Sequence, residues 1–429
     1  MDIEIRAVSA DEMDAFIRAV PGAAGLPNWE PEPAAGWSGP GTGSPFGARM
    51  SDEEVARYRT EVRELDRTQA AFSDGKLVGT SGVLTLELTI PGQGPVPMGG
   101  VTSVGVLATH RRRGLLRGMM RAMLDDCHAR GEMLAGLGAS EGSIYGRYGF
   151  GPATFQVRWE LERSKARLAS ASASVAGGRL ELVDAATALA ALPGLQDEVR
   201  QRRVGQVSAY PGMWIGMTSD RDSAKRFVLH YGPDGVVDGA AVYRLPWSPD
   251  PASSGIVQVD LLEASSAAAY TELWMFLADL DLTKRVIAGK RPVDEPLRWQ
   301  LADTRSLRVT RMSDDLWVRL VDVPGALAAR SYQVAGSLVV EVTDEFCPWN
   351  SGVWRLDGGP DGASCSRASA AAAPELAVDA ATLGSLYLGG TAPGPLARAG
   401  RIPELVPGAL NRATAMLAQP DAPFNLTGF

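Results

Sequence analysis

The chain has 429 residues, 45% hydrophobic and 21% charged, which suits a soluble globular protein of roughly two to four domains. Its 42 basic residues against 50 acidic leave a formal net charge of −8, and a general nucleic-acid binder, which needs a basic excess, is excluded. The three cysteines (Cys127, Cys347, Cys365) and three histidines (His110, His128, His230) are scattered, which excludes a disulfide scaffold and a zinc site and fits a reduced compartment. No stretch approaches the roughly 18 apolar residues of a membrane span. MDIEIRAVSADEMDAF has no apolar signal core, so a cytoplasmic location is expected.

The opening IEIRAVS predicts a strand, and SADEMDAFIRAV a helix with Ser9 and Glu12 at capping-box spacing. Residues 26–45 are crowded with proline and glycine and predict a long loop. SDEEVARYRTEVREL repeats the cap spacing at Ser51 and Glu54. TQAAFSDGKLVGTSGVLTLELTIPG predicts two strands about an Asp74-Gly75 turn, and MGGVTSVGVLAT a third. After Arg111-Arg112-Arg113-Gly114, Leu116, Met120, Met123 and Cys127 share one helical face, and Gly131 stands where a glycine would stop that helix. EMLAGLGAS is a short strand leading into EGSIYGRYGFGPAT, a glycine-punctuated turn with two tyrosines.

Residues 165–178, KARLASASASVAGG, form a low-complexity linker. Beyond it the pattern partly repeats. RFVLHYGPDGVVDGAAVYRL echoes the strand, Asp-Gly turn and strand of the first half. IVQVDLLEASSAAAYTELWMFLADL echoes the strand and amphipathic helix, with Ser265, Ser266, Ala267 and Ala268 where the first copy has arginines and glycine. From about Arg308, DLWVRLVDVPGALAARSY, GSLVVEVTDEFCPWNSGVWRLDG and LAVDAATLGSLYLGG predict further strands and helices with no cluster of titratable groups, as in a scaffold or binding domain.

The arginine run admits three readings: a nucleic-acid patch, a solvated helix start, or a phosphate cradle. Overall charge disfavours the first. A strand, Arg-Arg-x-Gly and an immediate helix favour the third, because free N–H groups and the dipole at a helix start receive phosphate and glycine lets the backbone approach. The spacing of Val104, Val106, Arg111, Arg112 and Gly114 resembles the acetyl-coenzyme A motif of the GNAT superfamily of N-acetyltransferases. With SEGSIYGRYGFGPAT, the degenerate second copy and LWVRLVDVP, nearly the whole chain is similar to the Eis family of aminoglycoside and lysine N-acetyltransferases.

That resemblance implies an α/β (α+β) chain: tandem GNAT acetyltransferase folds over 1–165 and 166–305, the second degenerate, then a sterol-carrier-protein-like α+β domain over 306–429. It implies an acetyl-CoA-dependent N-acetyltransferase, with no metal, acting on aminoglycoside-like polyamines or lysine side chains, and a hexamer as its assembly. Val104, Val106, Arg111, Arg112, Gly114, Leu115, Ser140 and Gly142 would line the coenzyme. Trp29, Glu30 and Glu32, in the loop where this chain departs from the family, are candidates for an amine-binding cleft, beside the plain reading of a loop with incidental charge.

Acetyl transfer from a thioester to an amine needs a base for the amine proton and an acid for the leaving sulfur. Tyrosine, with a reference pKa of about 10, suits the acid. Tyr145 matches the family's catalytic acid, while Tyr148 is expected in the core. No residue is marked as base by spacing. The family uses the terminal carboxylate, here that of Phe429, and PDAPFNLTGF offers Phe424 and Leu426 as anchors for a docked end. With an intrinsic pKa of about 3.5, that carboxylate is a weak base unless desolvated, and holding the amine electrostatically is the alternative. A second class of function is a lipid- or ligand-binding protein built on the C-terminal domain, with the acetyltransferase folds as scaffold.

Overall fold

The computed structural model describes residues 3–23, 52–61, 64–169, 178–218, 225–246 and 255–429. The first part of the chain gives β1 (Ile3–Ala7), α1 (Met13–Ala23), α2 (Asp52–Glu61), β2 (Thr68–Ser73), β3 (Lys76–Ile90), β4 (Gly94–Val106), α3 (Leu115–Ala129), β5 (Leu134–Gly138), α4 (Gly142–Tyr145) and β6 (Gly151–Pro152). The middle gives β7 (Phe155–Glu162), β8 (Arg179–Val183), α5 (Ala185–Arg200), α6 (Pro211–Thr218), β9 (Lys225–Tyr231), β10 (Val237–Arg244), β11 (Ile256–Ala264), α7 (Ala267–Asp279), β12 (Arg285–Pro292), α8 (Leu297–Gln300) and β13 (Leu307–Asp314). The last part gives β14 (Leu316–Leu320), α9 (Val323–Ala329), β15 (Gly336–Thr343), β16 (Gly352–Gly359), β17 (Gly362–Arg367), β18 (Leu376–Asp379), α10 (Ala380–Tyr387), α11 (Pro393–Arg398) and α12 (Ala409–Leu417).

Local chemistry sets the first unit. Asp74 and Gly75 both take positive φ, 48° and 76°, as a two-residue hairpin turn requires, and join β2 to β3. At the start of α1 the Glu12 carboxylate accepts from the Ser9 N–H at 3.0 Å, one half of the capping box. The Ser9 hydroxyl donates to the same carboxylate at 2.7 Å. Met119, Met120, Met123, Leu124 and Cys127 of α3 are buried, each apolar side chain contributing about 1.5–3 kcal/mol by leaving water. α3 ends in a Schellman motif, with Gly131 N–H bonding the His128 carbonyl and Glu132 N–H that of Cys127. The Ser51 cap and the 26–45 loop lie outside the described residues.

Three sheets result, in the orders β1-β2-β3-β4-β5-β14-β6, β13-β7-β12-β11-β10-β9-β8 and β17-β16-β15-β18. The first two exchange strands. β7 follows directly on the first unit but pairs with β12 and β13 in the second sheet. Leu316–Leu320, expected to open the C-terminal domain, instead lies antiparallel to β5 in the first sheet, with Leu316 opposite Gly138 and Leu320 opposite Leu134. The reason is burial: all five residues of β14 are buried, so the strand needs neighbours on both edges and cover on both faces. The expected limits near 165 and 305 thus fall beside segments that cross between units.

Candidate active site

β4 and β5 run parallel only from Met98–Leu134 to Gly100–Gly136, after which β4 continues to Val106 and β5 ends at Gly138. The β3–β4 register shifts between Thr80 and Gly82, which leaves Ser103 as an extra residue with φ 57°. Thr80 Oγ1 holds this bulge by donating to the Ser103 carbonyl at 2.8 Å. A bulge bends its strand, and here it accompanies the parting of β4 from β5. Val104 and Val106 lie on the diverging stretch, each half-buried.

The arginine loop closes that stretch. Arg112 and Gly114 take φ of 63° and 81°, and a Cβ on Gly114 would meet nothing within 4 Å. Residues 111–114 are exposed, and no side chain caps α3. Arg111 Nε donates to the Val106 carbonyl at 3.2 Å and Arg113 to that of Thr109 at 3.1 Å, which tethers the loop to the end of β4. Leu115 has its side chain in a cluster with Ala71, Val78 and Met119, so only its backbone is available to a ligand. The first turn of α3 therefore presents uncapped N–H groups, positive dipole and guanidinium charge with no Cβ in the way, the fit a diphosphate needs.

In the second unit the equivalent place is closed. Ser266 Oγ accepts from Ala269 N–H at 3.1 Å and donates to Asp238 at 2.7 Å, so α7 is capped and already beside a carboxylate. β11 and β12 also part after Val259–Ala288, but Arg291 fills the opening, donating to the Leu262 carbonyl at 2.7 Å. Buried Glu295 pairs with Arg291 at 2.7 Å and accepts from Trp159 Nε1 at 2.9 Å. The arginine side chain stands at the place that corresponds, in the first unit, to the parting of β4 from β5.

Tyr145 ends α4, and both it and Tyr148 are buried in one cluster with Val101, Leu137 and Trp317. Tyr148 meets Phe346 edge-on at 5.0 Å, as expected for a core residue. Burial raises the Tyr145 phenol above its ordinary value, the hydrogen bond with Ser140 opposes this, and the charge of Glu141 adds to it. Ser140 and Gly142 are exposed beside it, and a Cβ on Gly142 would lie 3.7 Å from Trp317.

The chain end is docked. Phe424 N–H donates to the Val204 carbonyl at 3.0 Å, Leu426 N–H to Gln206 Oε1 at 3.1 Å and Thr427 Oγ1 to the Val207 carbonyl at 2.9 Å. Segment 204–208 is itself bonded to β3 through Thr89 and Glu87. The Phe429 ring reaches the first sheet, 3.3 Å from where Gly100 would carry a Cβ. Val101, next in β4, faces the Tyr145 cluster, so the terminus and Tyr145 flank opposite faces of the sheet where β4 and β5 part.

Several charged groups beside these elements carried little or no signal in sequence. Lys290, at φ 52° in a bulge of β12, pairs with Asp315 at 3.3 Å and stands 3.7 Å from the Cβ position of Gly428, which brings an ammonium to the tail. An unusual φ is invisible in a sequence. Arg319, mid-strand in LWVRL, and Asp344 form a buried pair at 2.5 Å; a lone charge inside an apolar run was the available hint. Trp29, Glu30 and Glu32 lie outside the described residues. A cavity of about 950 Å³ opens in the second unit between Arg163, Arg167, Glu272, Phe276 and Lys284, and shares no residue with the arginine loop or the tyrosine turn.

Comparison with known proteins agrees with this fold. Models of an acetyltransferase (GNAT) domain match residues 4–153 and 207–320, and a sterol carrier protein domain matches 323–425. An uncharacterized N-acetyltransferase of Streptomyces coelicolor is 42% identical over 391 residues, 88% of this chain and 92% of that protein. N-acetyltransferase Eis of Mycobacterium tuberculosis is 34% identical over 337 residues, 76% of this chain and 79% of that protein. The crystal structure of Eis1 from Mycobacterium abscessus superposes with a TM-score of 0.82 at 32% identity, covering 99% of this chain and all of that one. With the same order of two acetyltransferase folds and a sterol-carrier fold along nearly its whole length, the chain belongs to the Eis family of GNAT N-acetyltransferases.

Proposed function

We propose that the protein transfers the acetyl group of acetyl-CoA to a primary amine, on aminoglycoside-like polyamines or lysine side chains, at a single site per chain in the first unit. The observation that carries this reading is the contrast between the two helix starts: α3 is uncapped and faced by arginines, whereas α7 is capped by Ser266. A ligand-binding protein with vestigial acetyltransferase folds has no use for that difference. The fold brings acetyl-CoA as cosubstrate. Arg111, Arg112 and the amides from Gly114 onward hold its diphosphate, and the diverging edge of β4 at Val104 and Val106 runs beside the pantetheine arm.

The amine nitrogen bonds to the thioester carbonyl carbon and the C–S bond breaks. The Tyr145 hydroxyl gives its proton to the leaving sulfur, and the terminal carboxylate of Phe429 takes the proton from the amine or orients it. A cytoplasmic homo-oligomer, a hexamer as in the family, completes the proposal. Titration calorimetry with acetyl-CoA tests it: one site per chain is expected, weakened on Arg111→Ala with Arg112→Ala. Two sites per chain, or unchanged binding in that variant, would contradict it.

A further inference from the structure

The tyrosine turn is held from beneath by a side chain that the first unit does not itself encode. Arg319 is the fourth of the five residues of β14 and has a fully buried side chain. One nitrogen donates to the Tyr148 carbonyl at 2.6 Å and the other to Asp344 at 2.5 Å. The fit leaves no slack. Gly149 has φ 83°, and a Cβ there would fall 1.4 Å from Arg319 Nη1. The glycine in YGRYGFG is thus matched to a guanidinium that arrives 170 residues later in the chain (Gly149 to Arg319).

Asp344 belongs to the loop between β15 and β16 and is itself fixed. It accepts from the N–H groups of Phe346 and Cys347, at 3.2 and 2.8 Å, and from Asn350 Nδ2 at 3.0 Å. The same loop grips α3: Arg121 donates to the Phe346 carbonyl, and His128 stacks on Trp349 at 4.6 Å. The C-terminal unit therefore touches both the helix that starts at the arginine loop and the turn that carries Tyr145. A buried ion pair adds little net stability, and Arg319 Nε has no partner, but its two Nη bonds to fixed acceptors define where the guanidinium sits. That geometry reaches Tyr145 through the backbone. Helical turns 142–145 and 146–148 are continuous, and Phe150 N–H bonds back to the Tyr145 carbonyl at 3.3 Å.

We propose that Arg319, oriented by Asp344 of the C-terminal unit, is a positioning residue for the Tyr145 hydroxyl; this rests on reading Tyr145 as the general acid. The sterol-carrier-like unit is then part of the acetyltransferase site, as the strut that sets where the acid points.

The test is a double-mutant cycle on the full chain, with kcat, KM for acetyl-CoA and melting temperature measured for Asp344→Asn, Tyr145→Phe and both together. Asp344→Asn keeps the side-chain shape and removes the charge that orients Arg319. It should lower kcat by about tenfold, part of the roughly 100- to 10,000-fold a positioned acid supplies, and leave KM for acetyl-CoA unchanged. In the Tyr145→Phe background it should cost nothing further. Additive losses, or a lower melting temperature with kcat kept, would overturn the positioning role. Arg319→Lys, which keeps the charge but not the two-pronged reach, is the second variant: the same loss confined to kcat supports the proposal, and full kcat overturns it. Undiminished kcat in Tyr145→Phe alone overturns the acid assignment instead, an outcome read separately from the single variant.

Discussion

At Tyr145, the proposed general acid, the environment sets the pH range in which its proton is available. Burial raises its pKa, so the phenol stays protonated at neutral pH, and its contribution to rate is lost only as pH climbs through that raised value. Ser140 stabilises the phenolate and pulls the pKa down. Ser140→Ala should therefore move the basic limb of the kcat–pH profile to higher pH; a limb that stays put or moves down would contradict the assignment. A second residue carries a stability prediction. Gly149→Ala forces a Cβ into Arg319 and an L residue into left-handed φ, which alone costs about 1–2 kcal/mol. A lowered melting temperature is expected, and an unchanged one would mean the turn is not held as described. In sequence, Tyr145 and the arginines stood out as candidates because each sits in a local pattern. Arg319, Asp344 and Lys290 did not, since each acts only through a partner brought by tertiary packing.

Among the elements, α3 and α7 show how one supersecondary unit is kept open or shut. Both follow a strand that parts from its parallel neighbour, and they differ at the first turn. In α7 a serine cap satisfies the helix start and Arg291 bridges the gap. In α3 the cap position is a left-handed glycine with empty space beside it. Gly114→Ala should cost about 1 kcal/mol of stability from φ alone, while Arg111→Ala with Arg112→Ala should raise KM for acetyl-CoA without destabilising the fold. The wild-type KM should rise with ionic strength, and the double variant should lose much of that dependence, because exposed charges are screened by salt. Steady-state kinetics between low and high salt would show it. The elements themselves were largely legible. Asp74-Gly75 and Asp234-Gly235 announce their hairpins, and the spacing of Leu116, Met120, Met123 and Cys127 announces α3. The Ser103 bulge was not, because a bulge changes register and leaves composition alone.

For the whole molecule, the strand exchange makes the acetyltransferase units interdependent. β7 completes the second sheet and β14 the first, so neither sheet is whole without chain from beyond its own unit. The tail adds a third link, running from Phe424 to the first sheet through segment 204–208. A fragment of residues 1–165 lacks β14 and leaves one edge of β5 unpaired. It should fail to give a cooperative thermal transition, and a sharp transition with native-like circular dichroism would show that the exchange is dispensable. Here the sequence was least informative. LWVRL reads as a strand, yet the sheet that receives a strand is decided by long-range pairing, which no five-residue pattern records.

The most direct measurement is thiol release from acetyl-CoA across a panel of polyamines, aminoglycosides and lysine peptides, with mass spectrometry of the acceptor and the Tyr145→Phe protein in parallel. Amine-dependent thiol release matched by acetylated acceptor, and reduced about 100-fold or more in Tyr145→Phe, is the predicted result. No turnover with any amine, or the same rate in both proteins, would contradict it.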